Sequence, residues 1–307
     1  MRVRGCSMSE LDAAPTERGP DPRSSSAPFA PRLSIDEAVR HMRSRPEFAD
    51  VVRDAYLGSD VFDSYRRFVE SAEWREVRAL LDGHIRDAVV VDLGAGTGIA
   101  SRAFVDEGAR HVLALEPDPS SEVGYEVIRR LVTGLPVSIA SSYAEHLPLA
   151  DGSADVVYMR QVLHHTRELD AAIAECARVL RPGGRLIACR EHVVRDDADL
   201  QAFLAAHPVH RLAGGEHAYT LDAYEGALRR AGLSVLRTVA PWDSVINAFP
   251  AVRSQQELEE LPTRWLRDRF GPIGALVARV PAVSSFVWAR IRRPFPGQMY
   301  SFLARKS

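Results

Sequence analysis

Asp92, the glycines at positions 94, 96 and 98, and Glu116 are the residues of this chain whose types and spacing most clearly imply chemistry. The first four lie in V-V-V-D-L-G-A-G-T-G (Val89–Gly98), and Glu116 ends the next apolar run, Val112–Leu115. A β-branched run that opens into a glycine-rich turn reads as a strand buried in a parallel sheet, followed by a helix. Without a Cβ in the way, a ligand can approach the backbone of such a turn closely. A carboxylate at the end of the second strand offers acceptors to the two hydroxyl donors of a ribose. The chemistry implied is recognition of a nucleoside. A second set of residues could move protons: His164, His165, Glu191 and His192 follow later apolar runs and are candidate general bases. Farther along, His217 and Tyr219 stand just beyond Gly214–Gly215, on a loop that could close over the site. Cys6, Cys176 and Cys189 are scattered, and no His/Cys/Asp spacing forms a metal set, so no metal is expected.

Positioning these groups requires an alternation of strands and helices. Strands are predicted at Val89–Asp92, Val112–Glu116, Val137–Ala140, Asp155–Met159, Arg185–Arg190, Leu233–Val239 and Met299–Arg305. Helices are predicted between them at Ile99–Glu107, Ser121–Leu135 and Glu168–Leu180, the last stopped by Pro182-Gly183-Gly184, then around Asp196–Ala206 and at Thr220–Ala231. Such alternation gives right-handed crossovers and an α/β fold, a doubly wound, mostly parallel sheet of seven strands. Two or more helices are expected over 34–86, starting at a capping box formed by Ser34 and Glu37. The stretch 241–298 is too long for a simple connection and carries helical patterning at Leu258–Phe270 and Ile273–Ile291, so it reads as a helical insertion before the last strand.

Composition bounds the remaining possibilities. The chain has 307 residues, ordinary apolar and charged fractions, and a net charge of −2, which gives no general attraction to nucleic acid. Residues 1–33 are expected to be a disordered tail, because Met1–Arg32 is rich in Pro, Ser, Gly and charge. No signal-peptide core or uninterrupted transmembrane run is visible, and a cytoplasmic setting is expected. After Asp268 the chain has no acidic residue but carries Arg269, Arg279, Arg290, Arg292, Arg293, Arg305 and Lys306. The basic, apolar stretch 273–293 could therefore make peripheral contact with an anionic membrane, although Pro281 interrupts it and an ordinary packed helix is the simpler expectation.

The identity of the nucleoside follows from details of the loop. A dinucleotide fingerprint places its third glycine for a helix N-terminus to face a pyrophosphate. Here the spacing is G-x-G-x-G, and Asp92 would repel a pyrophosphate while suiting a ligand with an ammonium and a sulfonium. Downstream come S-S-Y-A-E-H-L-P-L (Ser141–Leu149), D-G-S-A-D-V-V-Y-M-R-Q-V-L-H-H (Asp151–His165) and A-R-V-L-R-P-G-G-R-L (Ala177–Leu186). In that order, over residues 87–192, these segments resemble the class I S-adenosylmethionine-dependent methyltransferases, most closely the small-molecule group that includes quinone-biosynthesis enzymes.

The resemblance implies a Rossmann-like fold, S-adenosylmethionine as methyl donor, and methyl transfer to a small molecule. It implies that Asp92, Gly94, Ala95 and Gly96 contact the methionyl end of the donor, that Glu116 binds its ribose, and that Pro117 lies beside the adenine. Ala144 and Glu145 flank the adenine edge in the family pattern, with Tyr143 where members often have an Asp. Arg160 and Gln161 leave the fourth strand toward the transferred methyl. Of the candidate bases, His192, Glu191 and His165 are the preferred catalytic residues, and residues 34–86 and 241–298 are read as a cap and lid for the acceptor. The rival readings are a membrane-associated methyltransferase for a lipid or quinone-type acceptor, a non-catalytic protein that binds S-adenosylmethionine, and a nicotinamide-dependent oxidoreductase.

Overall fold

Among the described residues eight strands form one sheet: Val89–Leu93 (β1), His111–Leu115 (β2), Val137–Ala140 (β3), Ala154–Arg160 (β4), Leu180–Val194 (β5), Tyr219–Thr220 (β6), Leu233–Val239 (β7) and Gln298–Lys306 (β8). The computed structural model describes residues 33–307, so the tail expected at the N-terminus lies outside the described residues except for Leu33. The strand order is β3-β2-β1-β4-β5-β8-β7, with β6 attached to β5 off this path. Strands β1 to β5 run parallel, and β8 runs antiparallel between β5 and β7. The α/β, doubly wound, mostly parallel sheet is therefore present, with the seven expected strands and a two-residue β6 too short to leave a pattern in the sequence. Chain order reverses at β1, which has β2 on one side and β4 on the other. Ligands of open α/β sheets bind beyond the carboxyl ends of the strands at such a switch point.

Strand β5 differs most from expectation. It begins at Leu180 rather than Arg185, because Pro182–Gly184 is accommodated as an irregularity in the pairing with β4 instead of ending the element. It also continues to Val194, through a second irregularity between Ala188 and Glu191 in its pairing with β8.

Alternation along the strands gives the sheet two apolar faces. On one, Val90, Val112, Val156, Tyr158 and Ile187 pack in a core with residues of Val61–Val69 (α3), Ala72–Leu81 (α4), Ile99–Asp106 (α5) and Tyr125–Val132 (α6). A chain of aromatic contacts runs through it from Tyr56 to Phe68, Trp74, Phe104 and Tyr158. On the other face, Val91, Val157, Met159 and Leu186 meet Ala172 and Ile173 of Leu169–Val179 (α7) and Tyr224 and Leu228 of Leu221–Arg230 (α10). Phe68 and Trp74 are almost wholly buried, and truncating such a ring costs about 3–5 kcal/mol. Helices α3 and α4 are thus integral to the sheet's core.

Residues before α3 form two further helices, Ile35–Arg43 (α1) and Ala49–Asp54 (α2), and the capping box forms as expected: Glu37 N–H donates to Ser34 Oγ, and Ser34 N–H donates to Glu37 Oε2 at 2.8 Å. After β5 come Asp197–Ala206 (α8) and Pro208–Leu212 (α9), and after β7 come Val245–Ala248 (α11) and Gln255–Glu259 (α12).

Residues 259–291 constitute a second compact unit, separate from the first, which comprises residues 33–258 and 292–307. Within it Leu261–Val277 (α13) breaks its helical path at Gly271, just before Pro272, and Pro281–Ile291 (α14) follows. The helical pattern over Ile273–Ile291 is interrupted at Pro281, which lacks the N–H that an interior position needs and opens α14 instead. Among the described residues no helix is long and apolar enough to cross a membrane.

Candidate active site

The β1–α5 turn is built around left-handed glycines. Gly94, Gly96 and Gly98 have φ of 67°, 55° and 78°, a region that other residues enter only with strain. Two of them answer different needs. A Cβ at Gly94 would stand 2.5 Å from Cγ2 of Val162, so this glycine lets the loop lie against the chain leaving β4. A Cβ at Gly96 would meet no protein atom within 4 Å. The loop there borders open space, as a backbone cradle for a ligand requires.

Carboxylates frame the cradle. Glu116 is buried at the end of β2, where its Oε2 accepts from Gly96 N–H at 2.7 Å and its Oε1 from Asp118 N–H at 2.9 Å. Burial nevertheless raises its pKa above the ordinary value. Asp92 is nearly inaccessible, and its Oδ2 accepts from Ser101 Oγ at 2.5 Å, which ties β1 to α5. Burial, with Glu116 adding to it, pushes the Asp92 pKa to about 7. The Asp92 side chain therefore reaches the helix hydroxyl as well as bordering the loop.

Farther along the same rim, Pro117 is half-buried after Glu116, Ala144 is buried, and Tyr143 is 73% exposed. Glu145 Oε1 accepts from Arg167 N–H at 2.9 Å, just before α7. Its carboxylate is occupied in organising that turn.

The ends of β4 and β5 hold the remaining candidates. Gln161 and Arg190 are non-glycine residues with positive φ, 56° and 61°, an outlier type that concentrates at functional sites. Arg160 makes a two-pronged pair with Glu73 of α4, at 2.5 and 3.1 Å, and also donates to Gln161 Oε1. Glu73 is wholly buried. Burial opposes its ionisation, but Arg160 and Arg190 outweigh that and hold its pKa below the ordinary value. Arg160, expected to leave the fourth strand toward the transferred methyl, has its guanidinium paired with Glu73. Arg190 donates to the carbonyls of Ile246 and Phe249, both at 2.7 Å.

The bulge at Arg190 turns the next side chain to the opposite face. There Glu191, fully buried, accepts from Val162 N–H at 3.0 Å, from His164 N–H at 3.2 Å and from His164 Nδ1 at 2.7 Å. Glu191, a candidate base in the sequence, thus accepts from three donors of the turn it organises. His192 is also buried, with Nδ1 2.7 Å from the Gly297 carbonyl and its ring against Phe203 and His164. Burial lowers its pKa to about 3, far below a useful proton acceptor near neutrality. Burial likewise holds the His164 pKa well below its ordinary value. His165 alone of the three preferred catalytic residues is open, with 46% of its side chain exposed. Tyr219 donates to the Thr166 carbonyl at 2.6 Å, and the His217 ring lies against it.

A model described as a methyltransferase domain matches residues 91–188, which span the glycine loop, Glu116 and most of β5. Residues 91–188 are a methyltransferase domain. In these residues the chain resembles the class I S-adenosylmethionine-dependent type. Around this methyltransferase domain the chain is 31% identical over 158 residues to a demethylmenaquinone methyltransferase of Thermobifida fusca, covering 52% of this chain and 64% of the relative. It is 43% identical over 98 residues to an uncharacterized methyltransferase of Mycobacterium tuberculosis, covering 32% and 37%. It is 34% identical over 142 residues to a ubiquinone/menaquinone biosynthesis C-methyltransferase of Haemophilus ducreyi, covering 45% and 55%. The chain thus spans less than two thirds of the length of these curated relatives. Among solved structures, a putative sarcosine dimethylglycine methyltransferase from Galdieria sulphuraria shares the fold with a TM-score of 0.54 at 19% identity, covering 89% of this chain and 99% of that one.

Two participants in the methyltransferase domain's surroundings were missed by sequence reasoning. Glu73, the partner of Arg160 and Arg190, sits in an otherwise ordinary helix, and only the hydrophobic neighbours Ala72, Trp74 and Val77 hint that it is inside. Glu216, buried beside His164 and His165, follows a glycine pair that looked like a plain loop.

Proposed function

We propose that this chain transfers the methyl group of S-adenosylmethionine to a small-molecule acceptor by in-line displacement at the methyl carbon. The observation that carries this reading is the joint geometry of Gly96 and Glu116: backbone bordering open space beside a carboxylate at the rim of the switch point. The residues fit the donor, because Gly94–Gly96 would cradle its methionyl part and Glu116 would accept from its ribose hydroxyls. The donor supplies a sulfonium-bound methyl with a neutral thioether as leaving group. The protein's part is to align donor and acceptor and exclude water, and good alignment is worth roughly 7–11 kcal/mol of the barrier.

Within that reading, a quinone-related aromatic ring is the acceptor class favoured by the similarity to quinone-biosynthesis methyltransferases. His165 is the residue we assign to proton removal, being exposed at the rim. Glu191 and His192 then act as positioning residues behind His164. Incubation of the full chain with S-adenosylmethionine and a panel of hydroxylated quinones tests this, with S-adenosylhomocysteine release as the readout. Turnover with at least one acceptor is expected. Donor binding without turnover on any acceptor class would instead support the non-catalytic reading.

A second reading, an acceptor held at a membrane, is favoured by one observation in the unit 259–291. Phe270, Ile273, Leu276 and Phe286 are exposed, Ile273 by 72%, on helices that carry no acidic residue after Asp268. Flotation with anionic vesicles tests it. Binding that is lost on Ile273→Asp with Phe286→Asp supports the reading, and absence of binding to anionic vesicles removes it.

A further inference from the structure

Beyond the end of β4, His165, assigned above to proton removal, converges with His164 and Glu216, two side chains which that role does not require. His164 and His165 lie on the short turn Leu163–His165 after β4, and Glu216 follows Gly214 and Gly215, whose left-handed φ of 75° and 83° turns the chain back toward them. His164 Nε2 is 3.6 Å from Glu216 Oε2, and His165 Nε2 is 3.8 Å from the same oxygen. One ligating atom from each of the three lies within 4.8 Å of the other two.

The hydrogen-bond pattern makes this convergence chemically unusual. His164 Nδ1 faces the Glu191 carboxylate at 2.7 Å, and His165 Nδ1 faces the Gly215 carbonyl at 3.3 Å. Both partners are acceptors, so each neutral ring carries its proton on Nδ1 and leaves a lone pair on Nε2. Those two lone pairs point toward a carboxylate oxygen. Glu216 Oε2 is itself buried and has no hydrogen-bond partner, in a side chain only 6% exposed. A buried carboxylate oxygen without a donor is costly. Here three electron-rich atoms share one small space with no donor among them, and a cation satisfies all three at once.

We propose that His164, His165 and Glu216 hold a divalent first-row transition-metal ion, zinc being the best match, with Glu191 orienting His164 from behind. Two imidazole nitrogens and one carboxylate are a donor set for zinc and its neighbours rather than for magnesium or calcium, which take oxygen ligands. Bonds of about 2.0–2.1 Å in a tetrahedral site place ligand atoms roughly 3.3 Å apart. The two His–Glu216 separations, 3.6 and 3.8 Å, need a contraction of a few tenths of an ångström, and the third separation, within the 4.8 Å spread of the group, closes by rotation of the exposed His165 ring. Glu191 supplies the outer contact that fixes a ligating histidine's tautomer and ring plane, and it is itself held by the N–H groups of Val162 and His164. His207 Nδ1 stands 3.7 Å from the other Glu216 oxygen but already accepts from His210 N–H at 3.4 Å. Three protein ligands leave a fourth position open, and the exposed edge of His165 provides the way in. An oxygen donor, water or an acceptor hydroxyl, completes the set.

The test is metal binding by the chelator-treated full chain, measured without methyl donor or acceptor and so independent of the proposed transfer. Zn²⁺ alone is titrated in competition with a chromophoric chelator, and Co²⁺ is added as a spectroscopic probe. One Zn²⁺ per chain is expected, with Co²⁺ giving the intense visible bands of a low-symmetry, tetrahedral-type site. His165→Ala, at an exposed position that leaves the core intact, and Glu216→Gln should each weaken binding by 100-fold or more. Glu191→Gln should weaken it by about 10–100-fold, the usual effect of losing an outer-shell partner. His146→Ala, on the exposed side of another loop, should change nothing. Zn²⁺ uptake no greater in the native chain than in the His165→Ala, Glu216→Gln double variant would overturn the proposal, as would equal loss in His146→Ala.

Discussion

Glu116 accepts a hydrogen bond from the backbone N–H of Gly96 at 2.7 Å, so the end of β2 fixes the loop that follows β1. The same carboxylate holds Asp118 N–H through its other oxygen. One side chain thus shapes the loop on both sides of the switch point and still presents lone pairs to a ligand's hydroxyls. Binding and loop order are coupled through it.

Replacing Glu116 by Ala removes those acceptors and releases Gly96 and Asp118. Hydrogen bonds to a charged group are worth about 1.5–3 kcal/mol, so affinity for S-adenosylmethionine should fall roughly 10–100-fold, as calorimetry would record. An unchanged affinity would remove Glu116 from the donor site.

Gly94 and Gly96 should respond differently to side chains. Gly94→Ala drives a Cβ onto Val162 and should cost roughly 1–3 kcal/mol of stability, part of which Val162→Ala restores. Gly96→Val enters open space, so it should lower the midpoint of denaturant unfolding little beyond the strain of its positive φ, about 1 kcal/mol. Its effect should fall on donor binding, which the branched side chain blocks. Equal stability losses at both positions, with binding retained, would contradict the cradle.

Removing the partner of two buried guanidinium groups should be severe. Glu73→Gln leaves Arg160 and Arg190 without their carboxylate, and breaking a buried pair in this way costs about 3–5 kcal/mol. Thermal or urea unfolding would measure it. A loss under 1 kcal/mol would mean that the cluster is hydrated.

The Asp92 carboxyl, with its pKa raised from 3.8 to about 7, binds a proton more tightly folded than unfolded. Its contribution to stability is therefore full below pH 4 and falls as pH rises from about 4 to about 7. A cationic donor favours the ionised form, so S-adenosylmethionine should bind more tightly as pH rises through 7, with proton release. Asp92→Asn should flatten that dependence. Calorimetry in two buffers of different ionisation enthalpy detects the released proton, and its absence in the native chain would argue that Asp92 serves only Ser101.

The parts of the fold legible in the sequence are those encoded locally. The strands β1 to β4 announce themselves by β-branched runs, the turns by glycine, and Val137–Ala140 and Leu233–Val239 fall where the pattern puts them. The glycine loop and Glu116 were readable for the same reason, each being the end of a strong strand signal. What was not legible depends on distant pairings. The bulge at Arg190, which turns Glu191 inward, arises from pairing with β8 across more than a hundred residues. The Glu73–Arg160 pair joins a helix to a strand end far along the chain. Glu191 and His192 looked like free bases because a sequence shows that a carboxylate stands at a rim but not that three donors already occupy it.

Calorimetric titration of S-adenosylmethionine into the full chain, with NADH titrated in parallel, tests the account most directly. Saturable binding of one S-adenosylmethionine per chain is predicted, competed by S-adenosylhomocysteine and sharply reduced in Gly96→Val, with no binding of NADH. Tight NADH binding with no heat from S-adenosylmethionine would contradict it.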